Sequence, residues 1–132
     1  MDEKRHNMLE EQLREEIASL ILRGEVKDPR VGPLVSVTRV DAARDASHAK
    51  VYVSTFAQEV LGGAEGESPE SRAESDRLLD AAVFGLQSAA GFIQAQIAKR
   101  IRVRLTPKLH FVADRGIREG FEMNERLRNL IP

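Results

Sequence analysis

Leu9, Leu13, Ile17, Leu20 and Ile21 recur at three- and four-residue steps with polar residues between them. That period predicts a helix over about 3–23 with one buried stripe, and Gly24 is placed to end it in the left-handed conformation. Two prolines and a glycine in Val26-Lys27-Asp28-Pro29-Arg30-Val31-Gly32-Pro33 exclude a helix there and make a constrained connection. The pattern then becomes β-branched. Residues 34–40 and 49–56 read as two strands joined by a hairpin connection over 41–48. In the second strand Lys50, Tyr52, Ser54 and Phe56 face one way and Val51, Val53 and Thr55 the other.

Residues 61–75 are poor in apolar side chains and predict a mobile loop within the domain. Beyond it, Leu79, Val83, Leu86, Ala90, Ile93, Ile97 and Ile101 keep helical phase straight through Gly91. A glycine inside a helix costs about 1 kcal/mol relative to alanine. The unbroken phase therefore predicts two helical segments joined by a bend at Gly91, not two helices parted by an open loop. Residues 108–114 form a third strand with Leu109, Phe111 and Ala113 on its buried side, and 119–130 a terminal helix. The sum is a single α+β domain over 1–132, α-β-β-α-(kink)-α-β-α, with a three-stranded sheet covered by helices on one face.

Composition narrows the function classes. Hydrophobic residues at 42% and charged residues at 31% describe an ordinary globular chain. The absence of cysteine excludes disulfides and thiolate metal sites. No apolar run is long enough to cross a bilayer and the N-terminus has no apolar signal core, so a cytoplasmic protein is expected. The net charge is only −1, but it is unevenly spread. Residues 59–80 hold seven acidic residues against Arg72 and Arg77, whereas 94–108 hold Lys99, Arg100, Arg102, Arg104 and Lys108 and no acid. Such a strip is what a polyanion-binding face requires, although a solvated helix end and an amphipathic strand give the same charges.

Arg102 and Arg104 are two apart and project to one side of an extended segment, which suits neighbouring phosphates. Arg39, Arg44 and Lys50 extend the cationic set across the sheet or its loop. Arg30 stands in the rigid connection, where an ion pair with Asp28 competes with an outward role. His6, His48 and His110 fall in three separate elements without ligand spacing, and no metal motif, phosphate-cradling loop or nucleophile elbow occurs. Asp45 and Asp114 sit at turns, where local hydrogen bonding explains them. Neither catalysis, a metal nor a cofactor is expected. Tyr52 could stack a base, but packing beneath a helix is the ordinary use of such a residue.

The ordered set Lys27-Asp28-Pro29-Arg30-Val31-Gly32, Val35-Ser36-Val37-Thr38-Arg39-Val40, Arg44-Asp45, Ala49–Ser54, Ala89-Ala90-Gly91-Phe92-Ile93 and Arg102–Phe111 resembles the ribosome-binding factor A family, with its type II KH-like domain. Ordinary KH domains clamp a nucleic-acid backbone with a Gly-x-x-Gly loop. That loop is missing between the two bent helices, where the family's Ala-x-Gly interhelical kink is matched by Ala89-Ala90-Gly91. The resemblance implies a monomeric cytoplasmic assembly factor. It would bind the free or immature 30S subunit and assist maturation of the 5′ region of 16S ribosomal RNA, in some bacteria supporting growth in the cold. It also implies RNA contact by Lys99, Arg100, Arg102, Arg104 and Lys108, and more widely by Arg39, Arg44, Lys50 and Arg30. The charged C-terminal tail of some members has no counterpart, so tail-dependent contacts are not expected. A protein-interaction adaptor using the acidic loop and the terminal helix, and a generic nucleic-acid binder, such as a double-stranded DNA binder with the bent helices as a helix-turn-helix, are the competing readings. The unbroken apolar phase opposes the latter.

Overall fold

The computed structural model describes residues 3–32, 34–56, 69–102 and 104–115. The first apolar stripe forms helix α1 (Glu3–Leu22), burying Leu9, Leu13, Ile17, Leu20 and Ile21, with His6 on the same face. Gly24 ends it at φ +70°. The Gly24 amide donates to Ile21 O at 3.0 Å and the Glu25 amide to Leu20 O at 3.0 Å. These paired bonds are a Schellman cap, which satisfies carbonyls the helix leaves open.

Strands β1 (Val35–Ala42) and β2 (His48–Thr55) form the expected antiparallel hairpin. Its register slips between Val37 and Arg39, so Thr38 is the extra residue with none opposite it, its hydroxyl donating to Tyr52 O at 3.2 Å. This bulge has a plain purpose. Strict alternation from Val35 and Val37 would turn Arg39 and Asp41 into the core. The extra residue re-phases the strand so that Val40 is buried while Arg39 and Asp41 face solvent.

Helices α2 (Pro69–Ser88) and α3 (Ala90–Arg100) cross over the sheet to β3 (Lys108–Ala113). The strand order is β1-β2-β3, with β3 parallel to β2. The three described helices lie on one face of the sheet, where Leu13, Ile17, Leu86, Ile93, Val51 and Leu109 are among the fully buried side chains. This is the KH-like order expected from the sequence. The predicted terminal helix, 119–130, lies outside the described residues.

Two boundaries differ from the sequence reading. Residues 69–75 are not loop: they open α2, where Pro69 occupies the first turn and Ser75 is buried. Proline lacks only an amide that the first turn leaves unused, so it starts a helix well. The rest of the predicted loop, 61–68, lies outside the described residues. The bend of 61° between α2 and α3 falls at Ala89, the first residue of the Ala-x-Gly kink that the resemblance implies and two residues before the glycine that the apolar phase marked. The Ala89 amide there is shared between Gly85 O and Leu86 O, both at 3.1 Å. The apolar phase survives the bend, with Leu86 and Ile93 both fully buried on either side. Gly91 is exposed in the first turn of α3 with open space around its Cα.

No single helix among the described residues is long and apolar enough to cross a membrane. α2 and α3 together reach that length, but they are bent and bury their apolar side in the core.

Candidate nucleic-acid interface

The cationic strip does not stay together when folded. Lys99 and Arg100 occupy the last turn of α3, where positive charge complements the helix dipole. Arg100 turns toward α1, with Nη1 3.4 Å from Glu16 Oε1. Lys108 begins β3 on the open side of the sheet. Of the strip, only Arg102 and Arg104 share one place: both line a hollow of about 500 Å³.

Three parts of the fold build that hollow. The N-terminal half of α1 contributes Arg5, Met8 and Gln12, and the β1–β2 turn contributes Arg44 and Asp45. Arg102, Arg104 and Leu105 close it after α3. The turn is held by Asp45, whose carboxylate accepts from the Ser47 hydroxyl at 2.6 Å and the Ser47 amide at 3.0 Å. Those bonds pull its pKa below the usual range and keep it ionised but locally occupied. Ala46 follows at φ +60°.

Four arginines thus surround one committed carboxylate. Arg44 also pairs with Glu3, at 2.8 Å, but both side chains are exposed and well hydrated. Arg102 and Arg104 are exposed, and neither has an ion pair or hydrogen bond among the described residues. Leu105 is 70% exposed and Met8 54%, so the hollow offers apolar surface beside its charge. A phosphate backbone can exchange its counterions for such guanidinium groups and lay its sugars on the apolar part.

Arg5 and Met8 were not in the sequence-derived set. Their signal was present: Arg5, Met8 and Gln12 step by three and four, on the face of α1 away from its buried stripe.

The other candidates go elsewhere. Arg30 makes a fork with Asp28, Nε to Oδ1 at 2.8 Å and Nη2 to Oδ2 at 2.5 Å, and its own amide donates to Oδ1 at 2.9 Å. Its guanidinium also lies 4.6 Å from the Phe84 ring centroid. Arg30 therefore takes the ion-pair alternative. Gly85 lets this connection approach α2: a Cβ there would stand 2.9 Å from Val31 Cγ2 and 3.1 Å from Arg30 Cβ.

Arg39 and Lys50 belong to the open face of the sheet. Arg39 lies 4.1 Å over the Tyr52 ring and 3.3 Å from Asp41. Tyr52 is thus not beneath a helix, as packing alone suggested, but on the opposite side under an arginine. His6 is structural: its Nε2 meets Ala42 O at 2.7 Å, while Glu10 accepts the Ala42 amide at 2.8 Å. No group of three metal-ligating side chains occurs among the described residues.

A family model described as ribosome-binding factor A matches residues 5–127. Ribosome-binding factor A of Treponema denticola is 40% identical over 130 residues, 98% of this chain and 86% of that protein. The Carboxydothermus hydrogenoformans protein of the same name is 39% identical over 126 residues, 96% of this chain and 86% of its own. The crystal structure of ribosome-binding factor A from Thermus thermophilus superposes with a TM-score of 0.59 at 28% identity, covering 82% of this chain and 93% of that one. A Thermus thermophilus homology model fitted into a cryo-electron-microscopy map of a 30S–ribosome-binding factor A complex gives a TM-score of 0.54 at 28% identity, covering 81% and 92%.

Proposed function

The chain belongs to the ribosome-binding factor A family, and from that premise we propose that it binds the free or immature 30S subunit and assists maturation of the 5′ region of 16S ribosomal RNA. It acts as a monomer in the cytoplasm, without a cofactor and without catalysing a covalent step. The relative fitted into a map of a 30S complex supports the choice of subunit. The observation that carries the reading is the hollow at Arg5, Arg44, Arg102 and Arg104, with exposed guanidinium groups and apolar surface between them.

Binding alone accounts for assistance. A factor that holds one RNA arrangement more tightly than its competitors raises the population of that arrangement and leaves the RNA chemistry unchanged. The missing Gly-x-x-Gly loop fits recognition of folded RNA by backbone and shape, not clamping of a single strand at the helix junction.

The test is sedimentation with purified 30S subunits, 50S subunits and complete ribosomes, using the wild type and an Arg102→Glu/Arg104→Glu variant. Both positions are exposed, so the variant should fold. Selective migration with 30S subunits, lost in the variant, is expected. Equal migration of variant and wild type moves the contact off this hollow, and no migration with any particle favours a protein-interaction adaptor.

A further inference from the structure

The β1–β2 turn has the arginine hollow on its helix side. On its other side lies a second depression of about 560 Å³ on the face of the sheet that no described helix covers, lined by Asp41, His48, Lys50, Tyr52 and His110 and the turn backbone. Strand register brings these side chains together: Asp41 pairs with Lys50, Lys50 with His110, His48 with Lys108 and Arg39 with Tyr52. His48 and His110, 62 residues apart in sequence, meet with Nδ1 and Nε2 2.9 Å apart. Their ring centroids are 5.1 Å apart with the planes inclined by 25°. With the nitrogens so close, that separation sets the rings side by side in nearly one plane, joined by an N–H···N bond. They form a flat plate open to solvent. The Arg39 guanidinium laid on Tyr52 forms a second plate.

We propose that this face is a nucleotide subsite that takes an unpaired, splayed-out RNA base, and that it extends the ribosomal-RNA contact on which the inference rests. Bases stack on imidazole, tyrosine and guanidinium planes with little sequence preference, because every base has a π-face. Lys50 and Lys108 are exposed beside the plates and meet the phosphates flanking that base. Asp41, the one carboxylate in the depression, accepts from base N–H edges. The two concavities are parted only by the turn, so one RNA strand bent around residues 43–46 reaches both. The arginine hollow reads backbone; the sheet face demands a base freed from its helix. This would let the protein favour RNA whose strand is locally open.

The experiment is a ¹H–¹³C titration of the full chain, following the His48 and His110 rings and the single tyrosine. The probes are an unpaired RNA hexanucleotide and an RNA hairpin stem of equal charge. Saturable movement of all three rings with the hexanucleotide, and little with the stem, is expected. His110→Ala and Lys50→Ala, both at exposed positions, should each weaken hexanucleotide binding by about fivefold or more. Rings that stay still at millimolar hexanucleotide, or variants that bind it like the wild type, overturn the subsite. Normal migration with 30S subunits together with silent rings removes this inference alone. Ring movement without any 30S migration removes the proposed 30S binding and keeps the subsite.

Discussion

Two glycines of the helical crossover behave oppositely. At Gly91 an added Cβ meets nothing within 4 Å, so Gly91→Ala should raise stability by up to about 1 kcal/mol through helix propensity. At Gly85 the same gain meets Val31 and the Asp28 carboxylate at 2.9 and 3.0 Å. Overpacking typically costs about 1–3 kcal/mol, so Gly85→Ala should lower the melting temperature by a few degrees. Thermal unfolding of the two variants side by side checks the opposed signs. If Gly91→Ala stabilises the fold yet weakens 30S binding, the glycine serves close approach of RNA. Asp28 supplies a second test. The Arg30 side chain, then the Arg30 amide, hold its carboxyl down to about 2 from an ordinary 3.8. The ionised form is favoured in the fold, so its contribution is complete above about pH 4 and is lost as the pH falls through about 2. The carboxyl ¹³C resonance of Asp28 should titrate there, and in Arg30→Ala it should return toward the ordinary value. Glycine roles of this kind escape sequence reading, because they depend on which loop passes overhead.

The elements themselves were largely legible. Leu9–Ile21 announced α1, and the unbroken phase from Leu79 to Ile101 announced a bent crossover in which both halves face one core. The bulge at Thr38 was not legible, since a single unpaired residue shows only when the strands are matched. Another hidden device is the treatment of the outer edge of β3. Gln87 on α2 donates from Nε2 to Leu109 O at 3.1 Å and accepts the Phe111 amide on Oε1 at 2.9 Å, while Gln94 on α3 accepts the Leu109 amide at 3.1 Å. Two side-chain amides on either side of the bend thus stand in for a missing fourth strand, closing an edge that would otherwise invite another chain. Gln87→Leu keeps the bulk and strands one donor and one acceptor in a half-buried place. The expected loss is about 2 kcal/mol or more by denaturant unfolding, with amide-exchange protection at Phe111 falling most. Gln94→Leu should act on Leu109 alone.

At the scale of the molecule, charge that is contiguous in sequence is divided by the fold. If all five strip residues met RNA, log affinity would fall against log salt with a slope of roughly −3.5 to −4.5. The hollow instead gathers Arg5, Arg44, Arg102 and Arg104, and four contacts there supply roughly −2.8 to −3.6 of the slope, before any share from Lys50 and Lys108 on the sheet face. Removing Arg102 and Arg104 as alanines should flatten the slope by roughly 1.4–1.8, whereas Lys99→Ala should leave it unchanged. A 30S binding series from 50 to 300 mM salt, roughly the span over which such slopes are read, checks both. Arg102 and Arg104 could be picked from sequence because they are two apart on one segment. Arg5 carried a helical-face signal but nothing to say which loop it meets, and the pairing of His48 with His110 was not legible at all, because only helix docking and strand register bring these groups in.

The parallel pairing of β3 with β2 reaches back across the whole helical crossover. During synthesis, α1 and the β1–β2 hairpin leave the ribosome well before Lys108 exists, and they can settle through local contacts alone. For that interval β2 has an unfilled flank, and a chain cut short before β3 keeps it. Nascent copies emerging side by side on one message are then each other's nearest candidates to fill it.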